Sequence, residues 1–177
     1  MGRSRYKVYE PTYPHFMTCT ILHWLPLFTN KNSVQIIIDS LSYLQQSDNL
    51  KIYSYVILEN HLHLIAQSGN ITITIQKFKS YTAYKLLELL KKNNAQTLLQ
   101  QLSFHKKAHR KENSYQVWEE GFHPKLIQSD IMMKEKIEYI HNNPIKRGYV
   151  EEAQHWRYSS AKDYLGINGL LKIDRVW

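Results

Sequence analysis

Cysteine is nearly absent from this sequence: Cys19 is the only one in 177 residues. A lone thiol closes no disulfide within the chain and supports no cysteine-based zinc site, so a reducing cytoplasm is the expected setting. No run of about 18 apolar residues occurs, which argues against a membrane-spanning helix. The N-terminal MGRSRYKVYEPTYPHF lacks the apolar stretch of a secretion signal, again pointing to a cytoplasmic location. Internal repeats and low-complexity linkers are missing too. Acidic residues are few, with 15 Asp and Glu against 23 Lys and Arg.

What is present is a basic, aromatic chain of one-domain length, read as a single unit over residues 1–177. Hydrophobic residues make up 43% of it, and a chain of this size buries roughly two-thirds of the surface its unfolded form exposes. The formal charge of +8, with a pI of about 9.4, favours polyanionic partners. Thirteen tyrosines and four tryptophans interleave with the cations, a composition suited to stacking on unpaired bases. Most of those rings are nonetheless expected to pack in the core or on the surface.

Residues 14–24, PHFMTCTILHW, read as a first strand, and Pro26 opens a turn region ending in TNKNS. Asn32 or Ser33 can cap a helix whose apolar positions Val34, Ile37, Ile38, Leu41 and Leu44 follow helical spacing, ending near 47–49. KIYSYVIL and HLHLIAQ, joined by Glu59-Asn60, read as a β-hairpin. A second helix is expected from Ile71 through Leu90, followed by polar KKNNAQ. HKKAHRKENS, at 105–114, is the best candidate for a mobile loop. YQVWEEGFHPKLI reads as a fourth strand interrupted at Gly121 and Pro124. Ser129 or Asp130 can cap a third helix that Pro144 terminates, and residues 151–177 form a tail of loop and short helix. The order β-α-β-β-α-β-α predicts an α+β fold. Its first six elements match the split-βαβ, ferredoxin-like arrangement, an antiparallel sheet with helices on one face. The third helix is an addition.

Two places could carry chemistry. His61 and His63 bracket Leu62, and on a strand positions i and i+2 share a face. They form half of a metal site or are two unrelated histidines of a half-buried strand. On the third helix, Glu135, Tyr139 and Asn143 follow at i+4 spacing and share a face, while Met133, Ile137 and Ile140 supply packing. Tyr139 is then either a reactive phenol or an exposed ring that stacks on its neighbours. Tyr81 and Tyr84 on the second helix rank lower, because packing with Phe78, Leu86 and Leu87 accounts for them.

Taken together, these segments resemble the single-tyrosine transposases of the HUH nuclease superfamily, above all the REP-associated tyrosine transposases and their insertion-sequence relatives. ENHLHLI resembles that family's PNHVHLL, and IEYIHNNPIKRGYV resembles its YIHxNPVRAGLV. HWRYSSAKDYLG resembles a tail motif in which tryptophan precedes a Tyr/Ser-Ser run, and FKSYTAYKL and VWEEGFHPKLI match more weakly. Two departures stand out: Glu59 where many members carry proline, and Glu119 where glutamine is usual. The resemblance implies that His61 and His63 bind a metal, that Asn143 completes its site, and that Tyr139, on the added C-terminal helix, is the nucleophile.

By the same resemblance the protein is a DNA-cleaving and strand-transferring enzyme of transposition, acting on single-stranded DNA beside a hairpin or palindromic repeat. The phenol becomes joined to the 5′ side of the break and a 3′-hydroxyl is released, which conserves the phosphodiester energy for rejoining. Two imidazoles, an amide oxygen and open positions suit Mn²⁺, or Mg²⁺ where phosphate and water oxygens supply the rest. Lys106, Lys107, Arg110, Lys111, Lys125, Lys146, Arg147 and Arg157 are candidates for backbone phosphates. Trp118, Trp156 and Tyr158 are candidates for stacking on bases. A monomer and a homodimer both fit the resemblance. The rival readings are a hairpin-binding ferredoxin-like module that does not cleave, and a metal-dependent hydrolase whose nucleophile is water.

Overall fold

The computed structural model describes Val8, residues 10–109 and residues 112–177. Its sheet is built from β1 (His15–Thr20), β2 (Lys51–Ile57), β3 (His61–Gln67) and β4 (Lys125–Leu126), in the order β2-β3-β1-β4 with every neighbour antiparallel. The helices are α1 (Lys31–Ser47), α2 (Ile71–Lys92), α3 (Gln96–Phe104) and α4 (Asp130–Lys146). This is the α+β arrangement expected from the residue pattern, with the two inner strands β1 and β3 flanked by β4 and β2.

The alternation along β1 and β3 divides the interior in two. Met17, Cys19, Leu62, Leu64 and Ala66 face α1 and α2, where they meet Val34, Ile37, Leu41, Ile75 and Phe78. Phe16 and Ile65 face the other way, into a second cluster with Met133, Ile137 and Ile140 of α4. The added helix therefore covers the sheet face that α1 and α2 leave open. At the site of a bulge, β2 slips by one residue between the Ile52–Ala66 and Ser54–Ile65 pairs. Tyr53 joins the α4 cluster, and the Ser54 hydroxyl, on the same side, lies 3.1 Å from His141 Nε2 of α4.

The outer edge of β2 is closed by the tail. Val56 bridges to Ser159, Ile57 N–H donates to the Tyr158 carbonyl at 2.9 Å, and Ser160 N–H donates to the Tyr55 carbonyl at 3.0 Å. A covered edge offers no row of unpaired amides to another strand. The Trp156 indole N–H donates to the Ile57 carbonyl and closes the corner.

Several expectations need correction. The α1 cap is Asn30, not Asn32 or Ser33: its side chain accepts the Asn32 N–H at 2.8 Å, a turn earlier than the apolar spacing suggests. The first strand ends at Thr20, with Ile21 in an isolated bridge to Trp118 and Leu22–Trp24 in a 3-10 turn. The fourth strand shrinks to two residues, because Gly121 and His123 take left-handed φ values of 76° and 45° just before Pro124. Pro144 does not end α4; the helix runs to Lys146. With so few residues beyond it, proline removes one late hydrogen bond, and the last turn still closes through Arg147 N–H to Asn143 O at 3.2 Å. Gly148, at φ 71°, then supplies the left-handed residue that turns the chain away. Helix α3 has no counterpart among the elements expected from the sequence. It is nine residues long, its N-cap position is Ala95 with no side-chain cap, and only Leu99 and Leu102 are buried.

The two-sided core gives a direct test. Ile140 is fully buried between α4 and the sheet whereas Ile131, on the same helix, is exposed. Ile140→Ala should cost roughly 2–5 kcal/mol in urea unfolding, and Ile131→Ala should stay within about 0.5 kcal/mol of the parent. Equal effects at the two positions would mean that α4 is not docked on the sheet.

Candidate active site

The face of β3 opposite the hydrophobic leucines carries both histidines. His61 and His63 are buried, and their rings meet edge to face with centroids 4.7 Å apart. Across from them α4 presents Tyr139, whose ring lies 5.3 Å from that of His63 and 5.8 Å from that of Phe16. Phe16 stacks on His63 at 5.5 Å, which fixes the imidazole plane. The sheet thus holds the rings and the helix brings the phenol to them. Tyr139 remains 40% exposed, so one side of it is open to a ligand.

The hydrogen bonds around the histidines point their free nitrogens outward. Asn60 donates through Nδ2 to the Trp24 carbonyl at 3.2 Å, which turns its Oδ1 toward His61. His61 Nδ1, 2.6 Å away, must then carry the proton and donate it, leaving the Nε2 lone pair free. The Thr18 hydroxyl lies 2.9 Å from His63 Nδ1 and can accept from it in the same way. Such outer partners fix the tautomer that a metal ligand needs. Burial, joined by the nearby Arg147 charge, pushes His61 down to about 4 against an opposing pull from Glu59. Burial, with the charges of His61 and Arg147, pushes His63 down to about 3. Both rings are neutral at physiological pH, the form in which imidazole coordinates.

Asn143 sits one turn beyond Tyr139 and is only 8% exposed. No group of three or more His, Cys, Asp or Glu side chains that could hold a metal exists among the described residues. A cation held here would therefore need a donor of another kind beside the two imidazoles, and the Asn143 carboxamide oxygen is a donor of that kind. Two neutral nitrogens with free lone pairs and one oxygen fit a divalent ion with open positions.

Cations frame the phenol. Lys146 Nζ lies 5.7 Å from the Tyr139 ring centroid, and Lys136 Nζ lies 5.8 Å from it and 5.3 Å from Phe16. Lys136 was not among the sequence candidates, although its i−3 spacing from Tyr139 would have placed it on the same face. Arg147 is engaged differently: its guanidinium donates to Glu59 Oε1 at 2.5 Å, tying the end of α4 to the β2–β3 turn beside His61. Of the other candidate phosphate contacts, Lys125 and Arg157 are exposed and unpaired by any salt bridge among the described residues. Lys107 lies within 3.6 Å of Glu119 and Glu120, and Lys106 donates to the Asn113 carbonyl. Arg110 and Lys111 lie outside the described residues.

The stacking candidates mostly turn inward. Trp118 is 5% exposed and donates its indole N–H to Thr82, while Trp156 stacks against Tyr149 at 5.3 Å. Tyr158 packs against the main core. Tyr81 and Tyr84 are exposed, so packing does not account for them; instead they ride on α2, on the sheet face opposite the histidines. His141, two residues after Tyr139, is half-buried against Ser54 and Ser160, with Nε2 at 3.1 and 2.9 Å from their hydroxyls, and thereby sets the rotation of α4. It shared a motif with Tyr139, but a positional role between two serines has no signature in spacing.

No protein-family model matches the chain. A curated relative from Haemophilus influenzae, named "Putative REP-associated tyrosine transposase", is 30% identical over 108 residues, 59% of this chain and 54% of that one. The chain thus spans about half the length of the curated relative it matches. Among solved structures, a REP-associated tyrosine transposase bound to a REP hairpin superposes with a TM-score of 0.67 at 17% identity, covering 98% of this chain and 94% of the other. The chain resembles the REP-associated tyrosine transposases in sequence and in fold. A "putative transposase" from Deinococcus radiodurans aligns at a TM-score of 0.45 and 16% identity, covering 80% of this chain and 97% of that one. The likeness to REP-associated tyrosine transposases carried by ENHLHLI and YIHNNP extends to the fold at the TM-score of 0.67.

Two outcomes follow from the electrostatics. Burial holds His141 at about 4 as well. A histidine that stays neutral in the fold but takes a proton near 6.5 when unfolded stabilises fully above that pH, and the contribution is lost as pH falls toward 4. Metal-free protein should therefore lose up to about 1.4 kcal/mol per pH unit for each of the three imidazoles between those limits. His141→Asn should flatten the urea-measured slope by about one proton; an unchanged slope would place His141 in water. For the partly exposed Glu59–Arg147 pair, a double-mutant cycle with Glu59→Gln and Arg147→Gln should return a coupling of about 0.5–1 kcal/mol that shrinks in high salt.

Proposed function

We propose that this chain is a metal-dependent tyrosine nuclease and strand transferase that cleaves single-stranded DNA next to a hairpin. The observation that carries the reading is the meeting of Tyr139 with His63 at 5.3 Å, across two elements that only the fold brings together. The basic charge of the chain and the name of its similar relative point the same way. The hairpin in the structure of the superposing transposase supports a hairpin substrate here.

In this reading an unpaired strand enters over the exposed side of Tyr139, and its phosphate settles between Lys136, Lys146 and the imidazoles. The two ammonium groups place positive charge where the phosphoryl oxygens accumulate negative charge, and the low-dielectric floor of Phe16 and Ile137 strengthens that attraction. Tyr139 Oη attacks phosphorus as its own proton leaves. The bond from phosphorus to the 3′ oxygen breaks, and that oxygen departs as a 3′-hydroxyl once protonated. The strand 5′ end stays on the phenol as a phosphodiester, so an incoming 3′-hydroxyl reverses the step without an energy source. His61, His63 and Asn143 would hold Mg²⁺ or Mn²⁺, which when bound supplies Lewis-acid polarisation of the scissile phosphate. Asn60 and Thr18 keep the two imidazoles in the binding tautomer. The Glu59–Arg147 pair keeps α4 in reach of β3.

The test is a labelled single strand bearing a REP-type hairpin, incubated with Mn²⁺. Wild-type protein should form an adduct that survives denaturation. Tyr139→Phe should abolish it, and His61→Ala or His63→Ala should reduce it by at least about 100-fold. Cleavage persisting in Tyr139→Phe while lost in His61→Ala would replace the proposal with a water-using hydrolase. Tight hairpin binding with no cleavage by any variant would leave a binding module.

A further inference from the structure

Trp24 belongs to none of the roles assigned above, and its surroundings are unusual. Of the four tryptophans, Trp118, Trp156 and Trp177 each donate the indole N–H to a protein oxygen. Trp24 has no such partner among the described residues and is 57% exposed. A large ring left in water with its donor unused is the side chain most readily covered by a ligand.

Its backbone is strained to hold it there. His23 and Trp24 both adopt left-handed φ values, 53° and 57°, which non-glycine residues seldom take and rarely in succession. Such a turn persists only when its surroundings over-determine it. Here they do: Glu119 Oε1 accepts the His23 N–H at 3.1 Å, the His23 ring stacks on His105 at 3.7 Å, and Asn60 holds the Trp24 carbonyl. Asn60 is the same residue that orients His61, so one amide ties the strained turn to the candidate metal ligand. The Trp24 ring then meets His61 edge to face at 5.5 Å.

On its other side Trp24 lines a groove of about 1060 Å³ that runs between α2 and residues 117–123, bordered by Thr20, Gln76, Lys79 and Gly121. The indole therefore stands between the histidines and this groove. We infer that Trp24 is a stacking platform for an unpaired nucleobase flanking the scissile phosphate, steering the single strand from the histidine face toward the α2 groove. The occupant is a nucleobase because the position abuts a phosphate-handling site on a strongly basic chain, and every base offers a π face to an indole. This inference rests on the single-strand reading of the site.

The experiment uses full-length Tyr139→Phe protein, which cannot form an adduct, and a twelve-nucleotide thymidine strand carrying one 2-aminopurine at successive positions. One probe position should be quenched on binding. Trp24→Ala should abolish the quenching and weaken strand binding roughly 5- to 150-fold, with Trp24→Phe restoring most of it. Because the side chain is exposed, circular dichroism should report an unchanged fold. An abasic site at the quenched position should erase the difference between Trp24→Ala and its parent. Equal binding and quenching with and without the indole, or no strand binding by the parent, would overturn the platform. The two readings fail separately. A covalent adduct in protein with Tyr139 intact, together with no effect of Trp24→Ala, removes only the platform. Trp24-dependent binding without any adduct removes only the nuclease.

Discussion

Everything at this site depends on β3 being an inner strand covered on both faces. A strand of period two must send alternate side chains in opposite directions, and HLHLI uses that rule to combine two incompatible tasks. Leu62 and Leu64 anchor it in the larger core, so the strand can neither slip by one residue nor rotate without burying imidazoles among leucines and exposing the leucines. The histidines inherit that rigidity. Their spacing is a property of the sheet and needs no metal to establish it.

The second consequence concerns α4. A ferredoxin-like sheet with helices on one face leaves the other face half-apolar, here Phe16, Tyr53, Val56 and Ile65. Covering it with Met133, Ile137 and Ile140 gives α4 a hydrophobic reason to lie where it does, independent of any chemistry. Tyr139 then arrives beside His63 as a by-product of packing. The bulge in β2 adds the rotational setting, because placing both Tyr53 and Ser54 on the α4 side lets the sheet offer a hydroxyl to His141. Buried histidine is expensive when charged, and this arrangement keeps all three imidazoles neutral.

The sequence made the inner strands and the two long amphipathic helices legible because their periodicity is strong and unbroken. The candidate ligands and nucleophile were legible for a related reason: they occupy positions whose neighbours declare the face. What escaped notice lacks such a declaration. Helix α3 has no polar cap and few apolar positions. The 115–127 segment looks extended by composition, yet two left-handed residues stop it from pairing. Trp24 looks like the end of a strand in the sequence, since nothing in LHWLP announces that His23 and Trp24 bend the chain out of the sheet. Thr18 is invisible in the sequence as an outer partner because a hydrogen bond between strands distant in sequence leaves no spacing to read.

Glu59 and Arg147 show how a departure from a familiar pattern becomes intelligible only in three dimensions. Glu59 stands where the resembled PNHVHLL segment has proline, and Arg147 stands where YIHxNPVRAGLV has alanine. Alone, the carboxylate would sit partly buried without a counter-charge. Alone, the guanidinium would oppose any cation brought to His61 and His63, since its field already disfavours a proton there. Placed together they form one ion pair, and at His61 the Glu59 charge opposes that of Arg147. One Glu59 oxygen remains buried and without a hydrogen-bond partner, so the pair is held more tightly by its surroundings than by complete satisfaction of its acceptors. The pair thus adds a strut between the turn that carries His61 and the helix that carries Tyr139.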